Sequence, residues 1–179
     1  YAHYAHEKLY EDAFRSGGDS HSLTCSIIFN LDYDYVVANK KTDPEIDKLR
    51  NISKRNFFRR LYGGGYKRGA IVLAEYGFPY DLKRARELDK RLEAGLPGLL
   101  PLFKNVERVY NKRGFIRDVF GRIYVVKAGG KAYQLVDYLI QGTSGGMLKR
   151  SAVEIAKIYG PEIFANFIHD EDKFDRLPS

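Results

Sequence analysis

The sequence has little cysteine and no long apolar segment. Cys25 is the one cysteine among 179 residues, so the chain cannot form an internal disulfide and shows no sign of an oxidising compartment. No run of about 18 apolar residues is present, which argues against a membrane-spanning helix. Residues 1–6 lack the basic start and apolar core of a secretory signal peptide. With 44% hydrophobic and 30% charged residues, the composition is typical of a soluble globular protein.

Basic residues exceed acidic ones, 30 against 23, and the net charge of +7 is compatible with a polyanionic partner. The excess is concentrated in one stretch that contains no acidic residue. Its eight basic side chains are Lys48, Arg50, Lys54, Arg55, Arg59, Arg60, Lys67 and Arg68. The stretch is either a solvated basic face or a phosphate-binding face, and charge alone does not choose between them.

In the first 112 residues, the spacing of apolar residues and the positions of capping and terminating residues are typical of helices. Helices are predicted for residues 6–16, 19–29, 44–62, 66–76, 81–95 and 99–112. Asp19 and Asp81 are suitable N-caps, and Thr42 and Glu45 fit a capping box around Pro44. The polar, tyrosine-rich segment 31–41 is predicted to be a connection between helices.

The pattern changes after Gly114, where residues 115–120 and 123–127 predict a β-hairpin around Gly121 and Arg122. A helical segment, 133–159, follows and is expected to be interrupted at Gly142, Gly145 and Gly146. An apolar strand, 164–169, ends the pattern, and Lys173 is expected to begin its partner strand. We therefore predict an α+β fold with a mostly helical region, 1–112, and a mixed region, 113–179.

A stripe of four residues on the helix 44–62 is the strongest local signal. Arg50, Lys54, Phe58 and Tyr62 are spaced four positions apart, and each step turns the helix by about 400°, which leaves an offset of about 40°. Two cations at this spacing can bind successive phosphates, and a ring one turn on can stack on a base or sugar. The alternative is two solvated cations and two core rings, which have the same spacing.

Three further segments could carry chemistry. His169, Asp170 and Glu171 follow an apolar strand, where carboxylates can bind Mg²⁺, although an acidic turn in solvent has the same composition. Gln141 and the small residues after it could contact base edges or pack closely against a neighbour. His21 lies near a predicted helix N-terminus, where it could meet an anion or act only in capping.

The order of these motifs resembles that of the family A DNA polymerases. The matching series is Arg50, Lys54, Phe58, Tyr62-Gly63, Gln141-Gly142-Thr143 and His169-Asp170-Glu171, with Asp19-x-His21 upstream and Gly121-Arg122 between. The resemblance covers nearly the whole chain. It implies a helical fingers subdomain joined to part of an antiparallel-sheet palm subdomain, in a cytoplasmic enzyme of a bacterial or phage-infected cell.

The resemblance also implies partners and roles. The partners are primer-template DNA and deoxynucleoside triphosphates. His21, Arg50, Lys54, Phe58 and Tyr62 would bind the incoming nucleotide, and Gln141, His169 and Arg122 would contact DNA. Asp170 would be a catalytic, metal-binding carboxylate supported by Glu171, in a parent enzyme that uses two Mg²⁺ ions.

At several positions the chain departs from the family's pattern, and these departures limit the roles that the resemblance implies. Asp137 stands where Asn is common, Tyr133 stands where a basic residue can occur, and Phe57 and Arg59 flank Phe58 where Asn and Gly are usual. These positions are expected to have altered contacts. The family's other catalytic aspartate motif is expected to lie before residue 1, so the chain alone is expected to be inactive.

Two alternative functions share part of the pattern. A single-subunit RNA polymerase has the same Arg, Lys and Tyr-Gly spacing, although Phe58 and Glu171 favour the DNA enzyme. A non-catalytic nucleic-acid-binding module could be built on the same helices. The sequence does not predict an oligomeric state.

Overall fold

The computed structural model describes residues 1–127, 130–168 and 171–174, and for residues 165–168 and 171–174 it describes the backbone alone. The chain divides into two compact units, Tyr1–Arg108 and Val109–Ser179. His169 and Asp170 lie outside the described residues. No described helix is long and apolar enough to cross a bilayer.

The first unit is built from helices. They are α1 (Ala2–Ala5), α2 (Lys8–Arg15), α3 (Ser20–Phe29), α4 (Tyr33–Asn39), α5 (Pro44–Leu61), α6 (Tyr66–Glu75), α7 (Leu82–Gly95) and α8 (Leu99–Arg113), the last of which continues into the second unit. α3 packs against α5 and α7, and α6 packs against α5 and α7. Ile28, Ile52, Leu73 and Leu92, one from each of these four helices, are fully buried.

Aspartate side chains begin four of these helices. Asp19, Asp32, Asp43 and Asp81 accept hydrogen bonds from backbone N–H groups in the first turns of α3, α4, α5 and α7. Such bonds satisfy donors that have no partner within the helix. The predicted capping box at Thr42 is wrong, because Asp43 directly precedes Pro44 and its carboxylate accepts the hydrogen bonds of the Glu45 and Ile46 amides.

One prediction about the N-terminal segments is also wrong, and one predicted helix is found with a later start. The segment 31–41 is not a plain connection, since it contains α4, whose Val36 packs with Cys25 and Ile46. A helix of this length is stabilised by tertiary burial more than by its own sequence. The predicted helix 6–16 begins later, because His6 has a left-handed backbone (φ 51°) that ends α1 before α2 starts at Lys8.

The second unit combines two antiparallel strand pairs with a long helix. β1 (Ile116–Arg117) pairs with β2 (Ile123–Tyr124), α9 covers Gln134–Tyr159, and a single 3₁₀ turn (Pro161–Ile163) leads to β3 (Phe164–Ile168), which pairs with β4 (Glu171–Phe174). The predicted α+β class and the hairpin are confirmed. The paired strands β1 and β2 are shorter than predicted.

Glycines do not interrupt α9, contrary to the prediction, because two of them lie where the hairpin packs against the helix. A Cβ atom at Gly142 would overlap the Tyr124 hydroxyl, and one at Gly146 would overlap the Phe120 ring. The missing side chains therefore allow close packing, and the helix tolerates the low propensity of glycine. Asp118 holds the hairpin turn by accepting bonds from Phe120 N, Arg122 N and the Tyr124 hydroxyl at 2.9, 3.0 and 2.8 Å.

Two glycine substitutions in α9 should therefore have opposite effects on stability. We expect Gly142→Ala to lower the free energy of unfolding by about 1–3 kcal/mol, because the added methyl group displaces Tyr124. Gly145→Ala is the matched control, since nothing lies within 4 Å of its added Cβ, and it should raise stability by about 0.5–1 kcal/mol. Urea denaturation followed by circular dichroism measures both, and equal effects would contradict the packing role.

Candidate functional site

The predicted stripe lies on one side of α5 and ends in a pair of stacked rings. The Phe58 and Tyr62 ring centroids are 6.2 Å apart with an interplanar angle of 22°. Phe58 is half-buried and Tyr62, the residue that caps the end of α5, is 43% exposed. Because both rings keep an accessible surface, the alternative in which both are core residues does not describe them.

His21 joins these rings from α3. Its imidazole centroid lies 6.1 Å from that of Phe58, at an interplanar angle of 66°. The packing of α3 on α5 thus brings together residues that are far apart in the sequence. His21, Phe58 and Tyr62 form a continuous row of rings, which we call the aromatic row.

The cations beside the aromatic row affect the protonation of His21. Burial, followed by the charges of Lys54 and Arg50, lowers the pKa of His21 below its ordinary value. The imidazole is therefore neutral at pH 7, with one N–H that can donate to an anion. Lys54 is exposed and has no ion-pair partner in the described part of the chain.

Arg50 is held by Asp19. Its Nη2 atom donates to both Asp19 carboxylate oxygens at 3.1 and 3.0 Å, and its Nε atom donates to the Ser22 hydroxyl at 3.3 Å. Lys40 Nζ lies 2.7 Å from the same carboxylate. We call these four residues the Asp19 cluster. The hydrogen bonds from Lys40 and Ser22 and the charge of Arg50 outweigh burial and hold the pKa of Asp19 far below its usual range.

Sequence reasoning treated Asp19 as a cap and missed its bond to Arg50, since nothing in the local sequence marks a partner 31 positions away. The same limitation applies to the basic stretch 48–68. Five of its eight cations pair with acidic residues, all of which lie outside the stretch: Lys48 with Glu45, Arg50 with Asp19, Arg55 with Glu75, Arg59 with Asp89 and Arg60 with Glu93. Among the described residues, Lys54, Lys67 and Arg68 have no such partner.

A surface cleft of about 420 Å³ opens beside the aromatic row. Lys54, Phe58 and Tyr62 line it from the predicted stripe, and Arg55, Arg68 and Val72 also line it. Arg55 and Arg68 belong to the basic stretch, but the sequence did not predict them individually as site residues. Aromatic faces next to cations suit a ligand that combines a flat ring with phosphate, because the ring stacks while the cations bind the anion.

The residues predicted to contact DNA lie in the second unit. Gln141 is exposed on α9, and the Arg122 guanidinium lies over the Tyr124 ring, 5.5 Å from its centroid. Tyr124 in turn packs against Gly142. Asp137, one turn before Gln141, is half-buried, and burial raises the pKa of its carboxyl group. In the described part of the chain its Oδ1 atom accepts no hydrogen bond.

The predicted catalytic turn is only partly described. His169 and Asp170 lie outside the described residues, and Glu171 begins β4 with its backbone alone described. In the part of the chain that the structure describes, no three His, Cys, Asp or Glu side chains are grouped as a metal site would require. The roles of these three residues stay predictions.

Comparison with known proteins supports the resemblance. No family model matches the chain. The chain is 28% identical over 178 residues to DNA polymerase I of Aquifex aeolicus, and 23% identical over 169 residues to DNA polymerase I of Geobacillus stearothermophilus. These alignments cover 95% and 87% of this chain but 29% and 17% of the relatives, so the chain spans less than a third of their length.

A solved structure with the same fold is described as the POL domain of Pol1 from M. smegmatis in complex with DNA primer-template and dNTP. It superposes with a TM-score of 0.70 at 20% identity, over 89% of this chain and 28% of that one. The similarity to bacterial, family A DNA polymerases that the motifs predicted is thus confirmed, and so is the predicted fold.

The low pKa of Asp19 makes its contribution to stability dependent on pH. A carboxyl group with a lowered folded-state pKa stabilises the fold fully above its unfolded pKa of about 3.9. This stabilisation diminishes as the pH falls below that value and is lost as the pH falls through the lowered folded-state pKa. Asp19→Asn keeps a capping oxygen but loses the charge. We expect it to lower the free energy of unfolding by about 1–2 kcal/mol at pH 7 and by less at pH 3, where the carboxyl group is largely protonated in the unfolded state.

Denaturation of both proteins at pH 7, 5 and 3 measures this difference. Asp43→Asn is the matched control, since Asp43 caps α5 without a cation bonded to it among the described residues. A deficit of Asp19→Asn that stays constant from pH 7 to pH 3 would refute the charge-based contribution.

Proposed function

We propose that this chain provides the nucleotide-binding face and part of the catalytic face of a template-directed DNA polymerase. The longer enzyme would add deoxynucleotides to the 3′-hydroxyl of a primer and release pyrophosphate. The observation that carries the proposal is the arrangement of Lys54, which lines the cleft, and Arg50, whose charge acts on His21, beside the aromatic row. The similarity to bacterial DNA polymerase I supports the same reaction.

The incoming deoxynucleoside triphosphate would bind along α5. Lys54 attracts its phosphates strongly, because no carboxylate among the described residues neutralises the ammonium group. The neutral imidazole of His21 donates one hydrogen bond to a phosphate oxygen. Phe58 packs on the sugar and base, and the exposed Tyr62 ring lies beside the template base.

The catalytic carboxylates would be those of Asp170 and Glu171, which follow β3 in the sequence. Asp170, supported by Glu171, would bind Mg²⁺. This ion prefers oxygen ligands such as carboxylates, and some of its coordination positions would remain open for phosphate oxygens. When bound, two such ions polarise the attacking hydroxyl and neutralise the leaving pyrophosphate. Gln141, His169 and Arg122 would contact the primer-template. The region 1–112 would correspond to the fingers and 113–179 to part of the palm, in a cytoplasmic bacterial or phage enzyme.

The nucleotide role of Lys54 can be tested by removing its charge. We expect Lys54→Ala to weaken deoxynucleoside triphosphate binding about tenfold, because it removes one charge-assisted contact to phosphate. Lys67→Ala is the matched control, since Lys67 is also exposed and also lacks an ion-pair partner among the described residues, but does not line the cleft. Calorimetric titration measures both affinities. If the two variants lost affinity equally, the effect would come from net charge alone, which would contradict the proposal.

The catalytic role of Asp170 separates a polymerase from a non-catalytic nucleic-acid-binding module. In the longer enzyme, Asp170→Ala should lower primer extension by at least about a thousandfold while DNA affinity changes little, because a metal ligand acts on the chemical step. Glu107→Ala, an exposed carboxylate on α8, is the control. Extension at the normal rate by Asp170→Ala would refute the assignment. Competition between deoxyribonucleotides and ribonucleotides in the same assay distinguishes a DNA polymerase from an RNA polymerase.

A further inference from the structure

The Asp19 cluster contains one carboxylate and two cations. Lys40, at the end of α4, and Arg50, on α5, both pair with Asp19, and their side chains are 27% and 21% exposed. A pair of one carboxylate and one cation would have no net charge. Because a second cation shares the carboxylate, the cluster keeps one net positive charge beside the aromatic row.

The hydrogen bonds of Arg50 use one side of its guanidinium group. Nε and Nη2 donate to Ser22 and Asp19, whereas Nη1 has no partner among the described residues. An arginine has five N–H donors in a fixed planar arrangement, so fixing one edge also sets the direction of the remaining donors. Asp19 and Ser22 therefore orient Arg50 and leave its Nη1 atom available to an anion.

Orientation by a carboxylate has an electrostatic disadvantage. The negative charge that aligns the guanidinium also repels a phosphate that approaches it, and at separations of several ångströms this repulsion is substantial. Lys40 opposes the repulsion, since its ammonium group lies 2.7 Å from Asp19 Oδ2. The carboxylate can then align Arg50 without cancelling the attraction of Arg50 for phosphate.

We propose that Lys40 is a positioning residue for polyphosphate binding: it neutralises Asp19 so that the aligned Arg50 keeps its positive charge for the ligand. Lys40 itself need not touch the ligand. The inference rests on the proposed function, because it assumes that a polyphosphate binds beside Arg50 and Lys54. It adds a residue outside the fourfold stripe to those that determine affinity.

The test uses substitutions that separate charge from hydrogen bonding. Lys40→Gln keeps a donor for Asp19 but removes the positive charge, Lys40→Met removes both, and Lys40→Arg keeps both. Lys41→Gln is the matched control, because Lys41 is exposed and has no ion-pair partner among the described residues. Each variant of the full chain is titrated with inorganic tripolyphosphate and with dATP by calorimetry, and thermal unfolding verifies that it is folded.

We expect Lys40→Gln and Lys40→Met to weaken binding of both ligands about fivefold, whereas Lys40→Arg and Lys41→Gln retain nearly full affinity. Wild-type affinity in Lys40→Gln, or an equal loss in Lys41→Gln, would overturn the inference. If Lys54→Ala still weakens binding in that case, the proposed function stands without it. Absence of triphosphate binding by the unaltered chain would overturn both.

Discussion

The carboxylate of Asp19 is the interaction on which the geometry of the candidate site depends. It caps α3 through the His21 and Ser22 amides, accepts a hydrogen bond from Lys40 at the end of α4, and pairs with Arg50 on α5. Three helices thus meet at one side chain, and its bonds to cations and to a helix N-terminus favour the same ionised state. The placement of His21 against Phe58 follows from this connection, because His21 lies two residues from the cap.

A second set of ion pairs fixes α5 against the following helices. Arg59 is 8% exposed and binds Asp89 of α7, Asn56 Oδ1 and the Gly64 carbonyl. Burying a guanidinium group without such partners would cost a large desolvation free energy. These contacts compensate for that cost. They also fix the turn after α5, where Gly63 has a positive φ of 75° that suits glycine. The site is therefore carried by a helix that is held near both ends.

The sequence predicted the long helix well because its signals are local. Pro44 and the glycines after Tyr62 mark its ends, and the four-residue spacing defines its stripe. α4 was not predicted, because its stability comes from the burial of Val36 against Cys25 and Ile46, which are distant in the sequence. The ion pairs of Arg50, Arg59 and Arg60 join residues 30 to 33 positions apart, and no local pattern encodes them. The proximity of His21 to the stripe could be predicted only from the resemblance to the family A DNA polymerases.

These ion pairs change what the basic stretch means. The number of cations between Lys48 and Arg68 would suit any polyanion, but most of those charges are neutralised within the fold. Among the described residues, charge is left at Lys54 and Arg68, which line the cleft, in the Asp19 cluster, and at Lys67, which does not line the cleft. At the cleft, the retained charge is adjacent to accessible aromatic faces, a combination that a solvated basic face does not need. A ligand that gains from both must carry a planar ring together with phosphate, which makes a nucleotide a better match than a simple polyanion.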